Sequence, residues 1–142
     1  MASELKVDKI TGVTTAGSID VTGEGNTTTT NLQQGLAKAW CYFNGSGTVA
    51  VNDSFNESGL TDVATGRYTV AFTNPMGNTN YAVTYKGGTT YNGANSNREV
   101  ESPTLSAGSM ELYSGSSGTG AIDVANYHSH VHGDLALAEH QI

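Results

Sequence analysis

KAWCYFNGSGTVAVNDSFNESGLTDVATGRYTVAFTNPMGNTNYAV, residues 38–83, decides the fold. Its apolar residues recur at every second position. Trp40 and Tyr42 alternate with Cys41 and Phe43, Val49 and Val51 share a face, and Tyr68, Val70 and Phe72 share another. Tyr81, Val83 and Tyr85 repeat the pattern, and farther along so do Met110 with Leu112 and Ile122 with Val124. Turn signals fall between these runs at Asn44-Gly45, Asn52-Asp53, Thr65-Gly66, Asn74-Pro75, Lys86-Gly87-Gly88, Asn92-Gly93 and residues 115–120. Period-two runs broken by regular turns predict an antiparallel β-sandwich or barrel. No helical crossover alternates with the strands, which excludes a parallel α/β sheet.

Composition agrees with this class. Of 142 residues, 37% are hydrophobic and 13% charged, and 18 are glycine. That is below the average for globular domains in both apolar and charged content. One Trp, seven Tyr and regularly placed Val separate the chain from a disordered polar one. The net charge is −7, and the six basic residues Lys6, Lys9, Lys38, Arg67, Lys86 and Arg98 are scattered. A phosphate backbone is bound by clustered cations, so nucleic acid is not expected as a partner. No apolar run approaches the roughly 20 residues of a membrane span, and no signal-peptide core opens the chain, so membrane insertion and secretion are not expected. Cys41 lies in an apolar run and reads as a buried, inert thiol.

Residues 1–37 read differently. Leu5-Lys6-Val7-Asp8-Lys9-Ile10 alternates, Gly17-Ser18-Ile19-Asp20-Val21 gives a short β signal, and residues 27–30 are a threonine run that favours extension. So few apolar residues build no core alone. The expectation is an extended, strand-like N-terminal arm ordered by docking on other chains. Residues 31–38 carry one or two helical turns, with Asn31 as cap and Gln34 at the third position. Residues 38–142 form the head. Residues 91–102 are polar and loop-like, and are candidates for contact with a partner. The tail from Leu135 is expected to pack as a short helix or strap.

The head resembles a domain near the C-terminus of tail-fibre and related virion proteins of marine and cyanobacterial phages. Lys38-Ala39-Trp40, Phe43-Asn44-Gly45, Gly47-Thr48-Val49-Ala50, Ser54-Phe55-Asn56, Tyr68-Thr69-Val70 and Asn80-Tyr81 carry the resemblance, over about a third of the chain. It implies an all-β virion protein made in the host cytoplasm: a homotrimer attached to other virion proteins through residues 1–37. Its head then contacts a host surface glycan or protein. Two alternatives stand beside the fibre-type appendage: a capsid decoration or head-fibre protein, and a free carbohydrate-binding module.

All four histidines lie in the last fifteen residues, and three alternate in His128-Ser129-His130-Val131-His132-Gly133-Asp134. On a strand they project from one face, about 7 Å apart, with Tyr127 and Val131 on the other. Three readings compete. A hydrolytic metal site finds little support, because the chain lacks an HExxH motif and His140 is the one further imidazole; no enzyme is expected. A second reading places His128, His130 or His132 from each of three chains around a threefold axis, holding iron or zinc. In the resembling heads the last strand has the form Y-V-x-V-x-V-F-G-D; Tyr127, Gly133 and Asp134 keep that frame, with histidines at the inward valine positions. The third reading is a metal-free histidine strand or interchain stack that weakens on protonation.

Overall fold

The computed structural model describes residues 4–12, 18–23, 25–88, 104–116 and 120–136. The chain divides into two units, Met1–Leu36 and Ala37–Ile142.

In the first unit, strands β1 (Asp20–Thr22) and β2 (Thr29–Asn31) pair antiparallel, with Val21 opposite Thr30. Gly25 and Asn26 take positive φ in the turn between them, and the Gly23 amide donates to Thr28 O. The single helical turn α1 (Leu32–Gly35) follows at once. Its cap is the expected one: Asn31 Oδ1 accepts from the Gln34 amide at 3.1 Å. The turn ends at Gly35, short of Lys38, because a four-residue helix without buried side chains has nothing to propagate it. Residues 4–12 form no strand, against the alternation of Leu5, Val7 and Ile10. Alternation marks a face, but a strand also needs a paired edge.

The second unit is all-β and antiparallel. One sheet has the order β4 (Ala50–Phe55), β3 (Ala39–Asn44), β12 (Asn126–His132), β7 (Ala82–Gly88). The other runs β5 (Glu57–Ala64), β6 (Arg67–Phe72), β9 (Ser109–Tyr113), β8 (Thr104–Leu105). A short ladder, β10 (Gly115–Ser116) with β11 (Gly120–Ala121), stands where a plain turn was expected. Residues 122–124 form no strand; Val124 is buried there in irregular backbone. Of the tail, Leu135 bridges to Met76 and the Ala136 amide donates to Pro75 O, giving an extended strap. His140 and the rest of the tail lie outside the described residues, as does the candidate loop 91–102.

Alternation grouped most of the core correctly, but Val51, paired with Val49 by spacing, is exposed. Ala39, Cys41, Phe43, Tyr127 and Val131 of the first sheet are buried, as are Tyr68, Val70, Phe72, Met110 and Leu112 of the second, in one hydrophobic cluster. Phe43 stacks on Tyr127 at 4.6 Å, and Tyr68 closes on both from the other sheet at 5.2 and 4.9 Å. Each buried phenol finds a partner, as its burial requires. The Tyr127 hydroxyl donates to Ser114 Oγ at 2.7 Å, while Tyr68 Oη lies 2.6 Å from both Gly45 O and Asp123 Oδ1. The chain changes sheets at Asn56, whose φ of 57° makes the corner between β4 and β5. Its amide donates to Lys38 O and Asn74 O and its Oδ1 accepts from the Asn74 amide, fixing that corner.

Gly45 makes the ring cluster possible. A Cβ there would lie 2.5 Å from the Tyr127 ring and 2.9 Å from Tyr68. Gly45→Ala is expected to cost about 1–3 kcal/mol by overpacking. Denaturant midpoints check it, and an unchanged midpoint would show the rings to be loosely held.

Asp123 gives the fold a pH signature. The Tyr68 hydroxyl first and the Gly66 amide second hold its carboxyl below the ordinary carboxylate value. A depressed folded value stabilises the protein above the unfolded value, near pH 4, and that contribution is lost as pH falls through the folded one. Asp123→Asn is therefore expected to be less stable than the parent at pH 7, with the gap narrowing below pH ~4. Thermal melts across that range read the difference.

Candidate functional site

Strand β12 is an inner strand of its sheet, between β3 and β7. Its inward residues Tyr127, Ser129 and Val131 are buried and its outward residues His128, His130 and His132 are exposed. The imidazoles do share one face, as their spacing requires. That face is the outer one, which corrects the inward placement: the core-facing positions of the strand belong to tyrosine, serine and valine.

Register brings other residues to the histidines. His128 pairs with Tyr42 and His130 with Trp40 on β3; on β7, His128 pairs with Lys86 and His130 with Thr84. One strand farther out, Asp53 stands opposite Tyr42 and Phe55 opposite Trp40. Tyr42 and His128 stack at 4.4 Å with their planes 5° apart, and the Tyr42 hydroxyl donates to Asn126 Oδ1 at 3.0 Å. Together these contacts hold the Tyr42 side chain in one place.

A groove of about 510 Å³ opens on this face, lined by Ala37, Trp40, Cys41, Tyr42, Asp53, His128 and His130. That volume lies within the range of small-ligand clefts, about 300–1,000 Å³. Its walls mix aromatic rings, two imidazoles and one carboxylate. The sequence singled out the histidines alone, yet the same alternation that buries Cys41 and Phe43 turns Trp40 and Tyr42 outward. Only the β3–β12–β4 register, which no local pattern states, joins them to His128, His130 and Asp53.

Among the described residues no group of three or more His, Cys, Asp or Glu side chains is placed to hold a metal ion. His132 does not line the groove, and the His128 ring is engaged by Tyr42. A metal shared by several chains would draw its nitrogens from this exposed face.

Cys41 alternates onto the core side of β3 and is 1% exposed. Burial, with the charge of Glu57 as a smaller cause, pushes its thiol up to about 12. It is therefore no nucleophile at neutral pH. Iodoacetamide is expected to leave Cys41 unmodified in the native protein and to alkylate it in denaturant, as intact mass reads directly; native alkylation would show that the sheet opens locally.

No protein-family model, no curated protein and no solved structure matches the chain.

Proposed function

We propose that the chain is a phage virion structural protein, a small tail-fibre-type appendage with a β-sandwich head and an N-terminal arm. The arm attaches to neighbouring virion proteins and to two further copies of the chain, and the head meets the host surface. The observation that carries this reading is the state of the first unit. Leu5, Val7, Ile10, Val21 and Leu36 are each more than half exposed, Leu5 at 80%, and none of the buried hydrophobic residues belongs to residues 1–36 among those described. A segment of this length rarely stabilises itself, since chains below about 40 residues usually need disulfides, metals or oligomerisation. Exposed apolar side chains on a segment without a core of its own fit ordering by other chains.

The resemblance at residues 38–81 supports the same reading. Phe43, Tyr68, Val70 and Tyr81 are core rings or chains, Gly45 leaves room for two of those rings, and Asn56 ties the corner between sheets. A sequence sharing that pattern would share the fold. A free carbohydrate-binding module is the second reading, and the groove beside Trp40 and Tyr42 favours it.

Native mass spectrometry of the full-length protein separates the two. The expected result is a trimer in the micromolar range, reduced to monomer by the combined substitutions Leu5→Asp, Val7→Asp and Ile10→Asp without loss of near-ultraviolet circular dichroism from the head. A monomeric parent protein would overturn the fibre reading and leave the module. A trimer that loses a metal mass on chelation would assign His128, His130 or His132 to its axis; a metal-free trimer would leave them as surface groups.

A further inference from the structure

We propose that the groove on the outer face of the β4-β3-β12-β7 sheet is a saccharide-binding site: a neutral pyranose stacks on Trp40 and the Tyr42–His128 pair, and Asp53 and His130 hydrogen-bond its hydroxyls. The inference rests on the reading of the head as the part that meets the host surface, and it names both the surface and the chemistry of the partner.

The groove is preorganised. Tyr42 is fixed by its stack on His128 and its hydrogen bond to Asn126, so binding need not order it. Apart from Ala37, its lining sits on paired strands, which holds stacking rings to a tighter geometry. The rings offer flat apolar faces that suit the C–H face of a sugar. Between them, Asp53 accepts hydrogen bonds and each neutral imidazole carries one donor and one acceptor.

Charge selects the class of occupant. An anionic glycan would meet Asp53 in the groove and a net charge of −7 on the chain. A cationic ligand over His128 would come near Lys86, its cross-strand partner on β7. An apolar protein surface would strip water from the Asp53 carboxylate without replacing its hydrogen bonds, at a cost. A neutral polyol meets none of these penalties, because its hydroxyls satisfy the carboxylate and the imidazoles alike.

The chain carries its own reporter. Trp40 is the sole tryptophan and lines the groove, so its emission reads occupancy directly. Full-length protein is titrated with neutral manno-, gluco- and galacto-oligosaccharides up to about 10 mM, a range that reveals even millimolar Kd values. Sialyllactose and choline serve as the anionic and cationic comparisons. The expected result is a saturable shift with at least one neutral oligosaccharide and none with the two charged ligands. By calorimetry, Tyr42→Ala and His128→Ala should then bind about tenfold more weakly or worse, as removal of a central aromatic anchor does. Near-ultraviolet circular dichroism and the thermal midpoint of Tyr42→Ala, expected to match the parent protein, separate loss of stacking from loss of fold. Absence of a shift with every neutral oligosaccharide overturns the proposal, as does a shift that survives Tyr42→Ala. If the protein still competes with particles for host cells in that case, the surface-contact reading stands and the saccharide site alone falls; if it competes with nothing, both fall.

Discussion

Three rings hold the second unit together. Phe43 and Tyr127 stack within one sheet, and Tyr68 enters from the other against both. Their phenols anchor backbone beyond the strands: Tyr68 reaches Gly45 and Asp123, and Tyr127 reaches Ser114, whose own hydroxyl donates to Ile122 O. These bonds fix the irregular segment before β12 and so fix where that strand begins. The consequence reaches the opposite face of the sheet. Side chains alternate with period two, so a slip of one residue would carry every one of them to the other side. With Tyr127 locked in the core, His128, His130 and His132 face outward, and Trp40 and Tyr42 lie across from the first two.

Much of this was legible in the sequence. Phe43, Tyr68, Val70, Phe72, Met110 and Leu112 were assigned to shared faces by alternation alone, and the structure buries all of them. The Asn31 cap followed from one side chain and one amide three residues on. What failed did so for lack of a partner. Residues 5–10 alternate well but lie along no edge, and Ile122 and Val124 keep the spacing while hydrogen bonds to Ser114 and Gly45 draw that backbone out of a ladder. The groove was half legible. Alternation put Trp40 with Tyr42, and the three histidines together, each on one face; the histidines were expected inward and stand outward, and their meeting with Trp40 and Tyr42 depends on pairing between residues about ninety positions apart. The bulge between Tyr42 and Phe43 on the β3–β4 ladder, which sets Asp53 opposite Tyr42, has no local sequence signal.

The two units manage apolar surface in opposite ways. The described part of residues 37–142 puts most of its large rings inward and keeps a few on one outer face, with polar groups between them. The described part of residues 1–36 has no fully buried apolar side chain: Ile19 and Leu32 are half-buried, and Leu5, Val7, Ile10, Val21 and Leu36 are exposed. Lys6 pairs with Glu4 at 3.4 Å in an exposed bridge, worth little in itself, but it shows both signs side by side in this segment. A mixed-charge, apolar-bearing segment is suited to lie along another chain, where the hydrophobic gain is not opposed by like charges.

The division of labour within β12 follows from these constraints. The inward half of the strand is bound to the fold by packing and by the buried phenol of Tyr127, so change there carries the cost of a cavity or an unpaired hydroxyl. The outward half contributes little to stability, because exposed substitutions away from such features usually shift it by about 0.5 kcal/mol or less. Side chains on the outer face of an inner strand thus gain the rigidity of the core without sharing its intolerance. Single substitutions at 40, 42, 128 or 130 change this outer face, while the register that presents it stays fixed by Tyr127.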